Sequence, residues 1–192
     1  MRIKWFSLIR ITGLLLVLLY HFFQTIFPGG FFGVDVFFTF SGFLITSLLL
    51  EEFGKARQID LLGFFKRRFY RIVPPVVLMV LVTMPFTFLV RQDYVAGIGG
   101  QIAGVLGFMT NFYEMLTGGS YESQFIPHLF VHNWSLAVEV HYYILWGLAV
   151  WFLSKRSKSS SQLRGMVFLL SAGAFIISFF SMFIGSLMAR KS

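Results

Sequence analysis

The chain has no cysteine among its 192 residues. That excludes disulfides, thiol nucleophiles and cysteine-ligated metals. Charge is scarce as well. Only 12% of residues are Asp, Glu, Lys or Arg, about half the quarter expected of a soluble domain. Acids are rarest, 8 against 16 Lys and Arg. No G-x-S-x-G elbow, Walker loop or dinucleotide fingerprint is present, which removes the usual serine hydrolase, NTPase and Rossmann readings. No internal repeat is visible, and the only low-complexity stretch is the polar linker Ser154–Gln162.

What fills the chain is apolar. It is 57% hydrophobic, with 26 Phe and a mean hydropathy of +0.77. These values predict an integral membrane protein. A net charge of +8 suggests nucleic acid in a soluble protein. Here Lys and Arg cluster in short loops, where the positive-inside rule puts them, so no nucleic-acid partner is expected. MRIK followed by an apolar run resembles a signal peptide, but the run is long and has no small-x-small cleavage site. It reads as an uncleaved first span.

The expected fold is all-α, a polytopic transmembrane helical bundle of about five full spans plus one re-entrant or interfacial outer segment, or six spans if that segment crosses fully. The spans fall at about 7–27, 31–50, 72–90, 134–153 and 165–188, each near the ~20 residues a bilayer core needs. Segment 95–116 is weaker and rich in Gly. The basic loop 51–71 and the N-terminus are placed in the cytoplasm. If 95–116 is re-entrant, the second basic loop, 154–164, also falls inside, as the charge rule asks. Region 91–133 then lies outside.

Ionisable residues at membrane depth cost roughly 2.5–3.5 kcal/mol each on insertion scales, so those that persist are candidates for function. Arg10 and His21 are eleven residues apart on one helix face, ~16 Å along the axis. The bland alternatives are a snorkelling anchor for Arg10 and a buried neutral imidazole for His21. Asp35 follows the Pro28-Gly29-Gly30 turn and reaches a similar depth to His21 in an antiparallel hairpin. It can orient the imidazole or simply cap the second helix. Glu139 lies about a turn below Trp134, with Tyr142 and Tyr143 on its face, and is expected at a depth like that of His21 and Asp35. Arg68 and Arg71 form R-x-x-R before the third span, either an anchor or a phosphate clamp. His128 and His132 have i,i+4 spacing without a third ligand, so no metal is expected. Asn133-Trp134-Ser135 matches a glycosylation sequon at the mouth of a span, where it reads as a chance match.

Four elements in this order resemble the bacterial membrane acyltransferase-3 family. They are Arg10 with His21, the GGFxGVDVFFxxSG stretch Gly29–Gly42, the Arg68/Arg71 pair, and Trp134-Ser135-Leu136 with Glu139 and Tyr142/Tyr143. Within the family the chain looks closest to the peptidoglycan O-acetyltransferases of Gram-positive cocci. The resemblance implies a bacterial cell-membrane enzyme moving acetyl from cytoplasmic acetyl-CoA to a hydroxyl of a surface glycan. It implies that Arg10, Arg68 and Arg71 bind CoA. His21 acts with Asp35 or Glu139 on the acceptor hydroxyl, and Tyr142 or Tyr143 is a relay. It also implies a family membrane domain of about ten helices, of which 1–192 is the N-terminal portion. Helices of the C-terminal half and an extracellular SGNH-type domain are then absent or supplied as partners. Two other readings stand beside it. One is a proton-coupled transporter component using His21, Asp35 and Glu139; the other is an inactive truncated remnant.

Overall fold

A computed structural model describes residues 4–23, 25–89, 95, 97–117 and 128–189. Among them the chain is helical, with no strand. The helices are α1 (Lys4–Phe22), α2 (Phe32–Ala56), α3 (Leu61–Phe86), α4 (Ile98–Leu106), α5 (Thr110–Thr117), α6 (Trp134–Arg156) and α7 (Ser160–Ala189). Short 3-10 turns, Pro28–Phe31, Thr87–Leu89 and Val131–Asn133, precede α2, follow α3 and precede α6.

Four stretches are long and apolar enough to cross a membrane: Pro28–Ala56, Leu61–Leu89, Val131–Arg156 and Ser160–Met188. They correspond to four of the five expected spans. The first span ends earlier than expected. Its helix α1 runs Lys4–Phe22, ~28 Å at 1.5 Å per residue, and the backbone turns back at Phe23, whose carbonyl accepts from both Ile26 and Phe27. The third is longer at its start. Lys66–Arg71 lie on α3 itself rather than in a loop. Pro74, Pro75 and Pro85 also sit inside α3. Each lacks an N–H, so carbonyls one turn earlier lose their helical partner.

Segment 95–116 is not one helix. It is the pair α4 and α5, ~14 Å and ~12 Å long, too short to span, as the re-entrant or interfacial reading requires. Gly97 opens α4 at φ +64°, a conformation that Gly adopts without penalty. Tyr113 of α5 lies against Gly100 and Gly104. Of the long connection 91–133, residues 91–94, 96 and 118–127 lie outside the described residues.

The helices sort into two compact units. One comprises 1–45 with 62–145, the other 46–61 with 146–192. In the first, Val76, Val80, Val105 and Phe130 form a buried cluster, with Ile72, Met79, Ile102 and Leu136 packed against it. It ties α3, α4 and the start of α6. In the second, Leu49, Phe53, Ile59, Val150, Leu163 and Val167 are buried, and the Trp146 indole donates to Thr46 Oγ1 at 2.8 Å. Outside these clusters large apolar side chains face outward. In the apolar window of α7 only 6% of residues are buried, which suits lipid or protein at membrane depth.

The α1–α2 hairpin closes on glycine. A Cβ on Gly33 would meet Gly13 O at 2.5 Å and Val17 Cγ2 at 2.8 Å. One on Gly30 would strike Leu16 O and, at 2.7 Å, Tyr20 Cβ. The nearest neighbour of one on Gly29 is the Phe32 ring at 3.9 Å. Small residues let membrane helices approach this closely. Gly33→Ala should therefore lower the unfolding midpoint in detergent, by the ~1–3 kcal/mol typical of overpacking. Gly29→Ala should leave it unchanged. Equal midpoints for the two variants would contradict the close approach.

Candidate functional site

The first unit holds two cavities lined by the ionisable residues that the sequence singles out. The first, of about 490 Å³, is lined by His21, Asp35, His132, Trp134 and Ser135, with apolar walls from Val17, Leu18, Phe31 and Val34. The second, of about 310 Å³, is lined by Arg10, Arg68, Arg71, Ser41, Glu139 and Tyr143, with Phe37, Phe40, Leu44 and Pro75 among its walls. Residues of α1, of α2 and of the segment leading through α6 line both cavities. Arg10 to His21 on α1 and Tyr143 back to His132 before α6 are eleven residues each, ~16 Å for helical rise.

In the histidine cavity, His21 Nδ1 lies 2.7 Å from Val17 O and Nε2 lies 3.4 Å from His132 Nδ1. The two imidazoles stand edge-on, with centroids 4.9 Å apart. Tyr20 makes an edge contact with the His21 ring at 5.6 Å. The close approach of α1 and α2 brings Asp35 to the same cavity. The carboxylate sits in the first turn of α2, where the positive end of the helix dipole favours it. Both ring nitrogens of His21 thus have hydrogen-bond partners, and neither is Asp35. The partner on the facing segment is His132. A helix-start role for Asp35 and a place in the cavity are compatible.

The turn that carries His132 is held from two sides. Gln101, 1% exposed, accepts from the Phe130 N–H at 3.3 Å. Glu114, also buried, meets His128 Nδ1 at 2.8 Å. Asn133 Nδ2 donates to Phe130 O at 3.3 Å. His128 and His132 therefore point to different partners, Glu114 and His21, and do not converge as a metal pair. Sequence reasoning missed His132 as a partner of His21. The available signal was its place two residues before Trp134, at the mouth of α6.

In the arginine cavity, Glu139 accepts hydrogen bonds from Ser41 and from the Tyr143 hydroxyl. Arg68 lies over the Tyr143 ring at 5.5 Å and the Phe64 ring at 5.7 Å. Arg10 lies over Phe40 at 5.2 Å. Arg68 and Arg71, i and i+3 on α3, face the same space, as their spacing predicts. Two expectations need correction here. Glu139 lines this cavity rather than that of His21 and Asp35, because it sits about two helical turns beyond His132 on a segment running the opposite way to α1. Tyr142 and Tyr143 also diverge, since adjacent helical residues lie ~100° apart. Tyr143 faces the arginines, and the Tyr142 hydroxyl lies against Gly42. Ser41, at the end of the Gly29–Gly42 stretch, was not anticipated as a partner of Glu139.

Chemically, the second cavity offers three guanidinium groups suited to phosphate. The first offers imidazoles suited to proton transfer at a hydroxyl.

The family profile described as an acyltransferase domain matches residues 3–190. The O-acetyltransferase OatA of Staphylococcus aureus strain NCTC 8325 / PS 47 is 33% identical over 174 residues, 90% of this chain and 29% of that protein. Strain COL carries a relative of the same name with the same identity and coverage. SACOL0978 of the same strain is 35% identical over 136 residues, 71% of this chain and 22% of its own length. The chain thus spans less than a third of the curated relatives it matches. No solved structure matches it significantly.

Replacing Gln101 with Leu strands the buried Phe130 N–H beneath the His132 turn. An unsatisfied buried donor costs about 1–3 kcal/mol. Gln101→Leu should lower thermal stability by that amount and speed hydrogen exchange at Phe130. Unchanged exchange would mean that Gln101 does not hold the turn.

Proposed function

Because the chain belongs to the acyltransferase-3 family, we propose that it contributes the acyl-transfer centre of a membrane O-acetyltransferase. On this reading acetyl passes from cytoplasmic acetyl-CoA to a hydroxyl of a cell-surface glycan. Peptidoglycan is the favoured acceptor, by analogy with the O-acetyltransferases it resembles. The observation that carries the proposal is the pair of cavities lined by the same helices, one by arginines and one by histidines, with Arg10 and His21 ~16 Å apart along α1.

On this reading Arg10, Arg68 and Arg71 hold the phosphates of CoA at the cytoplasmic side, a side that the positive-inside rule favours for the basic residues of α3. The pantetheine arm extends from there toward His21. The imidazole supplies acid–base chemistry at the acceptor hydroxyl. As the hydroxyl oxygen attacks the acetyl carbonyl carbon, the C–O bond forms and the C–S bond breaks. The proton removed from the hydroxyl is returned to the leaving sulfur. Residues 1–192 form the N-terminal portion of the membrane domain, with the N-terminus cytoplasmic. Further helices and an SGNH-type extracellular domain complete the enzyme.

A second reading concerns Tyr143. Its hydroxyl donates to Glu139 and lies in the arginine cavity; a transient acetyl-tyrosine there requires the thioester end of the donor, rather than its phosphates, to enter that cavity, the C–O bond to Tyr143 forming as the C–S bond breaks and the phenolic proton passing by way of Glu139 to the leaving sulfur. Tyr143→Phe separates this from direct transfer, which does not need the hydroxyl. The transporter reading is disfavoured by the same geometry, because Glu139 lies apart from His21 and Asp35.

The test is acetyl transfer from labelled acetyl-CoA in membranes containing this chain. His21→Ala should cost 10²-fold or more, the usual scale of acid–base catalysis. Arg68→Ala and Arg71→Ala should each raise KM for acetyl-CoA roughly tenfold, as loss of a charge-assisted hydrogen bond of ~1.5 kcal/mol implies. Full activity in His21→Ala would sink the scheme.

A further inference from the structure

We propose that the histidine cavity opens toward lipid, and that its acceptor is an amphiphile: a glycan hydroxyl presented on a lipid carrier whose tail lies in the same leaflet. The proposal rests on the acyl-transfer reading for its chemistry and specifies the form in which the glycan arrives. The route of entry stands on geometry alone.

Depth comes first. Helix α1 runs Lys4–Phe22, ~28 Å of helical rise against a hydrocarbon core of about 30 Å. A helix of that length reaches from one boundary of the core to the other. His21 lies in its last turn, so the ring stands near the boundary away from the N-terminus. Trp134 is the first residue of α6 and lines the same cavity, and Trp is favoured at that interfacial level. Two segments more than a hundred residues apart thus put the cavity where headgroups meet acyl chains.

The connection at this level lacks the composition of a turn that faces water. Residues 22–34 carry no charge, and Gln24 and Thr25 are their only polar side chains. Phe22, Phe23, Ile26, Phe27, Phe31 and Phe32 are exposed, Phe22 at 76%. Exposed apolar area on this scale marks contact with a membrane or a partner, and at the end of a span lipid is the neighbour at hand. The rim is also held in place. The Phe31 ring stacks on Phe32 with centroids 4.3 Å apart and meets Tyr20 edge-on at 6.2 Å.

Part of that apolar rim is cavity wall. Leu18 and Phe31 line the cavity and are exposed. His21 and Asp35 line it and are exposed as well. The mouth therefore sets an imidazole and a carboxylate beside a leucine and a phenyl ring. A hydrophilic strand arriving from water has to bring its polar groups past the apolar rim, at a desolvation cost. A sugar on an aliphatic tail does not. Its tail lies along Leu18, Phe22 and Phe31, its hydroxyls reach His21 and Asp35, and confinement to the leaflet raises its effective concentration at the mouth. The volume agrees. About 490 Å³ lies in the lower half of the roughly 300–1,000 Å³ of small-molecule sites, which suits a head group rather than a strand.

The absence of cysteine makes the route directly measurable. A nitroxide on Phe31→Cys, in the full chain in lipid nanodiscs, should relax faster with oxygen, which concentrates in lipid, than with a water-soluble nickel chelate. Relaxation dominated by the chelate would mean a mouth open to water and would overturn the proposal. The acceptor class is read in the labelled acetyl-CoA assay with octyl and methyl N-acetyl-β-glucosaminide, which share a head and differ in the tail. The octyl compound should show a KM lower by about tenfold or more. Phe31→Lys, which places a charge on the rim, should remove most of that difference and leave KM for the methyl compound unchanged. Equal KM values, or a preference that Phe31→Lys leaves intact, would overturn the lipid-borne acceptor while the acyl-transfer reading stands. If the wild-type chain transfers no acetyl to either sugar, the acyl-transfer reading fails, and the nitroxide still decides which medium the cavity faces.

Discussion

The constraint on which the rest depends is the contact between α1 and α2, made where neither backbone can tolerate a side chain. Gly30 and Gly33 set α2 directly on the Leu16 and Gly13 carbonyls of α1. In a bilayer the hydrophobic effect does not drive helices together, because lipid is as apolar as Leu. Close packing and polar contacts do that work. This chain has no disulfide with which to fix the hairpin. Backbone-to-backbone packing replaces it, and everything on α1 inherits its position from that contact. Arg10 is brought over Phe40, and His21 and Asp35 are brought to one cavity.

A second consequence is a sorting of the ionisable residues. Residues eleven apart on α1 and on the segment leading into α6 place one end of each in the arginine cavity and the other in the histidine cavity. Guanidinium groups and imidazoles thereby line different cavities. Glu139 belongs to the arginine end. It neutralises part of the positive charge there while accepting from Ser41 and Tyr143. That engagement keeps a carboxylate at membrane depth supplied with donors. The short helices α4 and α5 add no span. Their buried Gln101 and Glu114 instead hold the turn before α6, so a segment that does not cross the membrane sets the orientation of a residue that faces the cavity.

Much of this was legible without coordinates. Scarce charge made each membrane-depth ionisable residue conspicuous, because its cost is high enough to remove it unless it acts. Arg10, His21, Asp35 and Glu139 stand out for that reason; Arg68 and Arg71 stand out by their R-x-x-R spacing, and Tyr142 and Tyr143 by their spacing from Glu139. Four of the spans followed from apolar length. The failure of 95–116 to span followed from its glycines and from the distribution of Lys and Arg.

What the sequence by itself determined is the class of molecule, the identity of the ionisable residues and the helix on which each rides. Those follow from composition and from periodicities of 3.6 residues, which are local. Pairing was decided only by the tertiary structure. His21 meets His132, 111 residues on, and Glu139 meets Ser41, 98 residues back. Depth estimated from each helix alone put Glu139 with His21 and Asp35. The direction of α6 relative to α1, and the turn that sets where α6 begins, put it with the arginines. Partner choice between helices depends on rotation and register, which no single helix encodes.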